Sequence, residues 1–110
     1  MTREPLTSSG PSDLQLVAAA NRGDAAAMEA LYERHRDWVY SLARRVTGNR
    51  DDAADVLQEV FAYVFSKFPG FELTCRMRTF LYPAVRNTAV RIRDRRRRTL
   101  DIQAVAEPAA

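Results

Sequence analysis

Apolar residues in this chain recur at steps of three and four, and no run alternates with the period of two that a half-buried strand needs. One stretch carries Met28, Leu31, Tyr32, His35, Val39, Leu42, Ala43 and Val46 on a single helical face. Asp24 stands where that helix needs an N-cap, and Gly48-Asn49 stops it. In the next stretch Val56, Leu57, Val60, Phe61, Val64, Phe65 and Phe68 form two adjacent apolar rows, with Asp55, Gln58, Glu59 and Ala62 opposite. Asp51 opens this helix and Pro69-Gly70 ends it. Upstream, Ser12 or Asp13 can cap a short helix, LQLVAAANR, which Gly23 terminates. Downstream, Thr74 or Cys75 can cap a fourth helix with an apolar stripe of Met77, Phe80, Leu81, Ala84, Val85, Thr88 and Ile92. Pro83 falls inside it, removes the hydrogen bond to the Thr79 carbonyl and predicts a kink near residues 81–83.

The expected fold class is therefore all-α: a compact bundle of about four helices with short loops. At 110 residues and 46% apolar content the chain is large enough for one core. Residues 1–11 are polar, hold two prolines and read as a disordered N-terminal lead. Residues 12–98 form the folded domain, and the Ala-rich stretch 99–110 reads as the start of a linker.

Charge is distributed unevenly. Nine of the 17 basic residues lie between Arg76 and Arg98, against Asp94 alone, which makes that segment +8. The remaining eight basic and 13 acidic residues leave the rest of the chain at −5. A polyanion suits such a segment. The same helix carries Phe80, Tyr82 and Asn87; Asn87 is costly there in helix propensity and offers an amide able to pair with a base edge. Each feature has a plainer explanation: aromatics belong in cores, and basic helix ends complement the dipole. Their combination on one helix favours nucleic-acid contact.

Catalytic chemistry finds little support. The chain has one His, one Cys, no Cys/His pair spaced for zinc and no glycine-rich phosphate loop. His35 lies on an apolar face and reads as a packed side chain; Cys75 reads as a small residue at a helix end. No enzymatic activity, catalytic residue, cofactor or metal is expected. A lone Cys allows no internal disulfide, and neither a signal peptide nor a membrane-spanning run is present, so a cytoplasmic location without membrane insertion is expected. Asp51, Asp52, Asp55 and Glu59 make the start of the third helix acidic, which the helix dipole alone explains. Against the basic fourth helix, however, this face also suits a basic protein.

Taken in order, GDAAAMEALYERHRDWVYSLARRVTGNRDDAADVLQEVF, then FPGF, then TFLYPAVRN and RIRDRRRR, the chain resembles region 2 of an extracytoplasmic-function (ECF, group 4) sigma factor of bacterial RNA polymerase. The resemblance covers residues 13–98, nearly the whole expected sigma-2 domain. It implies a promoter-recognition domain acting in transcription initiation. Asp55, Gln58 and Glu59 match the core-binding motif, whose polar face docks on the coiled-coil clamp helices of the polymerase β′ subunit, while Val60 and Phe61 stay in the core. Residues 68–74, with Phe71, Glu72, Leu73 and Thr74, match the loop that captures a base flipped from the non-template strand of the promoter −10 element. Asn87 matches the Asn that helps form this pocket, and Phe80 stands where the family usually has Trp. Arg76, Arg78, Arg86 and Arg91 would track the strand's backbone.

The sequence departs from the family pattern at several points. Phe80 keeps an apolar ring but lacks the indole N–H, Pro83 is unusual in this helix, and Ala54 and Leu57 replace commoner polar residues. The resemblance also implies a helix-turn-helix reader of the −35 element after about Ala110, so the chain reads as a domain excised from a longer protein. An anti-sigma factor is a further partner that the resemblance implies. The alternative is a protein-interaction module that binds an anti-sigma factor or polymerase without reading DNA sequence. A generic basic helical duplex binder is a second rival, and it would leave Asp55 and Glu59 idle.

Overall fold

The computed structural model describes residues 10–106. Four helices follow one another: α1 (Asp13–Asn21), α2 (Ala25–Thr47), α3 (Arg50–Phe65) and α4 (Met77–Ala106). The all-α expectation holds. Of the disordered lead expected at residues 1–11, the first nine lie outside the described residues.

The starts of α1, α2 and α3 have local causes. Ser12 and Gln15 form a reciprocal capping box on α1, with the Ser12 Oγ accepting from the Gln15 N–H (3.1 Å) and the Gln15 Oε1 accepting from the Ser12 N–H (2.8 Å). The Asp24 carboxylate accepts from the Ala26 and Ala27 N–H groups at the head of α2. Helix α2 ends at Gly48, whose φ of +67° is a left-handed conformation that glycine adopts without a Cβ clash. One residue later Asn49 caps α3 by accepting from the Asp52 N–H at 2.8 Å. Asp51 therefore sits inside the first turn rather than opening the helix.

The C-terminal ends of α3 and α4 lie away from the expected positions. Helix α3 stops at Phe65, four residues before Pro69. Its chain tightens through Lys67 N–H to Val64 O (3.1 Å) and Phe68 N–H to Phe65 O (3.2 Å). Pro69 disfavours helical geometry at Phe68, so the turn unwinds early. Helix α4 continues past Arg98 to Ala106, through the stretch expected to start a linker, and Pro83 lies within it. Thr79 and Pro83 are both exposed, so the gap in the hydrogen-bond ladder falls on the solvent side. Thirty residues give α4 a length of about 45 Å. From Arg95 onward its described side chains are exposed.

Two apolar clusters hold the bundle together. In the larger, Val39, Leu42 and Ala43 of α2 meet Ala53, Val56, Val60, Phe61 and Val64 of α3 and Met77, Leu81, Val85, Ala89 and Ile92 of α4. In the smaller, Leu16, Val17 and Ala20 of α1 meet Ala27 and Leu31 of α2 and Phe71 of the connecting loop. Phe68, Leu73 and Phe80 pack against both clusters. His35 is packed as expected, with its Nε2 2.9 Å from the Asp13 carboxylate, which also accepts from Arg34 at 3.0 Å. Among the described residues, no helix is long and apolar enough to cross a membrane.

Candidate nucleic-acid and polymerase interface

The polar face of α3 is laid out as its spacing required. Asp55, Gln58 and Glu59 are exposed, while Val56, Val60, Phe61 and Val64 are buried. Asp52 leaves that face. It is 6% exposed, in the same i, i+4 row as Val56 and Val60, and its carboxylate accepts from the Arg96 Nε at 2.7 Å. This hydrogen bond and the Asp52 charge hold the Arg96 guanidinium above its ordinary range. Asp52 thus ties the head of α3 to the distal part of α4. The row position was the sequence signal for this inward turn.

A second ion pair joins two residues that the sequence assigned to different partners. The Arg91 guanidinium donates to the Glu59 carboxylate at 2.6 Å, and both side chains are about half exposed. Arg93 pairs with its neighbour Asp94 at 3.2 Å. The other six arginines of the basic segment make no ion pair with a described residue, which leaves them able to meet phosphates.

The loop between α3 and α4 divides the remaining site residues between two sides. On one side a cleft of about 730 Å³ is lined by Asp13, His35, Leu73, Thr74, Arg76 and Arg78, among others. The Arg78 guanidinium stacks 5.2 Å from the centre of the Trp38 ring. On the other side lie two cavities that share Tyr63 and Phe80. One, of about 640 Å³, is walled by the loop through Gly70, Phe71, Glu72 and Thr74. The other, of about 430 Å³, is walled by α4 through Pro83, Ala84, Asn87 and Thr88. Glu72, Phe80 and Asn87 are thus brought together around one hollow. Thr74 reaches both sides, Arg76 and Arg78 face the larger cleft, and Arg91 lines neither.

Aromatic packing fixes the floor of that hollow. Ring centroids run from Phe65 to Phe68 (6.4 Å), Phe68 to Phe71 (5.3 Å) and Phe71 to Phe80 (4.9 Å). Phe71 is only 9% exposed. Phe80 is half-buried against both core clusters. Tyr63, which lines both cavities, is 50% accessible, whereas Tyr82, 46% accessible, lines neither. The Lys67 ammonium sits 5.0 Å from the centre of the Tyr63 ring and lines the loop-side cavity.

Sequence reasoning missed Tyr63, Lys67 and Pro83 as lining residues. An exposed aromatic beside the polar face of α3 was the available signal for Tyr63. Pro83 supplies a rigid apolar wall of the cavity on the α4 side.

The sigma-70 region 2 family model matches residues 31–99. The chain belongs to the sigma-70 region 2 family. It is 27% identical over 81 residues to the ECF RNA polymerase sigma factor SigW of Bacillus subtilis (strain 168), an overlap covering 73% of this chain and 43% of that protein. It is 43% identical over 53 residues to the ECF RNA polymerase sigma factor SigE of Mycolicibacterium smegmatis (strain ATCC 700084 / mc(2)155), covering 46% of this chain and 21% of that protein. The chain thus spans less than half the length of either curated relative. No solved structure is significantly similar to it. As a region 2 domain resembling those of ECF sigma factors, it places its α3 polar face and its loop-to-α4 hollow on a shared three-helix core.

Proposed function

We propose that this domain recognises promoters as part of an alternative sigma factor, with no enzymatic activity of its own. Asp55, Gln58 and Glu59 bind the clamp helices of the core polymerase β′ subunit. The hollow between the loop and α4 receives a base flipped from the non-template strand of the −10 element. The observation that carries this reading is the pair of adjoining cavities sharing Tyr63 and Phe80, with Asn87 on one wall and Glu72 and Thr74 on the other.

The chemistry of the walls suits a base. Aromatic and apolar surfaces accept its faces, and Asn87, Glu72 and Thr74 present hydrogen-bonding groups for its edge. Taking a base out of the stack costs a few kcal/mol, and stacking on a protein ring returns about 1–3 kcal/mol per base. Phosphate contacts from arginines without an ion-pair partner among the described residues, Arg76, Arg78 and Arg86 among them, add to this and keep melted DNA open. Single-strand affinity then falls with salt at a slope of about −0.7 per neutralised phosphate.

The test is a selection from single-stranded DNA randomised over about ten positions, with the 110-residue chain alone and with bacterial core polymerase. A base preference that Asn87→Ala relaxes supports the reading. Retained polymerase binding without any base preference would instead identify a protein-interaction module whose partner is polymerase or an anti-sigma factor.

A further inference from the structure

Asn21, the last residue of α1, lies outside the stretch that matches the sigma-70 region 2 model. Its side chain makes three hydrogen bonds, all to loop backbone about 50 residues away. The Oδ1 accepts from the Gly70 N–H at 2.7 Å and from the Phe71 N–H at 3.1 Å. The Nδ2 donates to the Phe71 carbonyl at 2.8 Å. One carboxamide therefore satisfies both backbone polar groups of Phe71, as a neighbouring strand does in a sheet. Aspartate has the acceptor but no donor, and alanine has neither.

The surrounding chain is built to allow this contact. Gly70 holds φ at +104°, a conformation that side chains other than glycine rarely adopt, and this turns successive N–H groups towards one oxygen. The Phe71 ring then enters the cluster of Leu16, Val17 and Ala20 on α1. Gly70 and Phe71 are anchored to α1, while Glu72 and Thr74, immediately after them, are exposed and line the cavity. Asn21 itself does not line it.

We infer that Asn21 is a positioning residue for base selection: it sets the loop wall of the cavity without touching DNA. Helix α1 thereby gains a role beyond closing the bundle. The inference rests on the base-capturing role proposed for the cavity, and the two can fail separately.

The experiment uses the 110-residue chain and its Asn21→Ala variant. The probes are a single strand selected from the randomised pool and a scrambled version of it. Three hydrogen bonds to the loop are lost in the variant, and loosening on the scale of one or two of them lowers the selected-to-scrambled affinity ratio by about tenfold. Affinity for core polymerase stays unchanged and affinity for the scrambled strand nearly so, because the α3 face and every arginine of the basic segment except Arg76 stand on helices outside the loop. Generalised destabilisation would weaken all of these together, and that outcome overturns the inference. An unchanged ratio in the variant also overturns it. If the unmodified chain selects no sequence, the base-capturing reading itself fails. Amide hydrogen exchange on the unmodified chain tests the clamp without any variant: Gly70 and Phe71 amides are protected relative to the neighbouring Glu72 amide, and equal exchange at all three shows that no clamp exists.

Discussion

The Glu59–Arg91 ion pair sets up a testable competition between the two proposed surfaces. Glu59 is assigned to polymerase and Arg91 to the DNA backbone, yet in the free domain they bind each other at 2.6 Å. With 45% and 52% of their side chains exposed, they form a surface pair, and such pairs contribute about 0.2–1 kcal/mol. The upper end of that range corresponds to a factor of about five in affinity. Glu59→Gln is therefore expected to raise affinity for the selected single strand by up to about fivefold at low salt. The gain shrinks as the Debye length falls to about 3 Å near 1 M salt. Removing an acid from a DNA-binding domain raises affinity in any case, so the decisive measurement is a double-mutant cycle. Fluorescence anisotropy on the parent, Glu59→Gln, Arg91→Gln and the double variant gives the coupling directly. In the Arg91→Gln background the Glu59 substitution is expected to lose most of its effect, and Arg91→Gln alone should flatten the salt slope by about 0.7. An equal gain in both backgrounds would refute the reasoning, because the effect would then be net charge and not release of Arg91. The same cycle with core polymerase bound should show the coupling vanish, since the clamp would already occupy Glu59.

Leu81 is fully buried where α2, α3 and α4 meet, so Leu81→Ala should cost about 2–5 kcal/mol in chemical denaturation. Asn49→Ala removes the cap on α3 and should cost about 0.5–2 kcal/mol, seen as a lowered denaturation midpoint at unchanged slope. Asn87 is exposed, so Asn87→Ala should leave stability within about 0.5 kcal/mol while relaxing base selection in the oligonucleotide assay. A large loss of stability in that variant would show Asn87 to be structural.

The helices and their buried faces were legible because a one-dimensional period of 3.6 needs no partner to be read. The rows Val56, Val60, Val64 and Met77, Leu81, Val85 lie in the core as their spacing required. The Asp24 cap of α2 was legible, because its carboxylate meets backbone N–H groups two and three residues on. Helix ends were less so. Asn49 rather than Asp51 caps α3, which stops at Phe65 because Pro69 acts on the geometry of Phe68 and the last turn tightens ahead of it. The stretch after Arg98 is too weakly patterned to separate helix from linker.

What the sequence alone determined was the composition of each face: acidic and polar on α3, basic with Asn87 on α4, and family motifs in order. Tertiary structure decided which of those residues answer to one another. Asp52 turns inward to Arg96, Arg91 is held by Glu59, and Asn21 clasps a loop about 50 residues away. Tyr63 of α3 joins Phe80 and Asn87, which share one face of α4, around one hollow. The physical reason is range. Periodicity and capping act over three or four residues and leave their mark in local order. Ion pairs, backbone clamps and cavities form between residues that only the packed bundle brings within hydrogen-bonding distance.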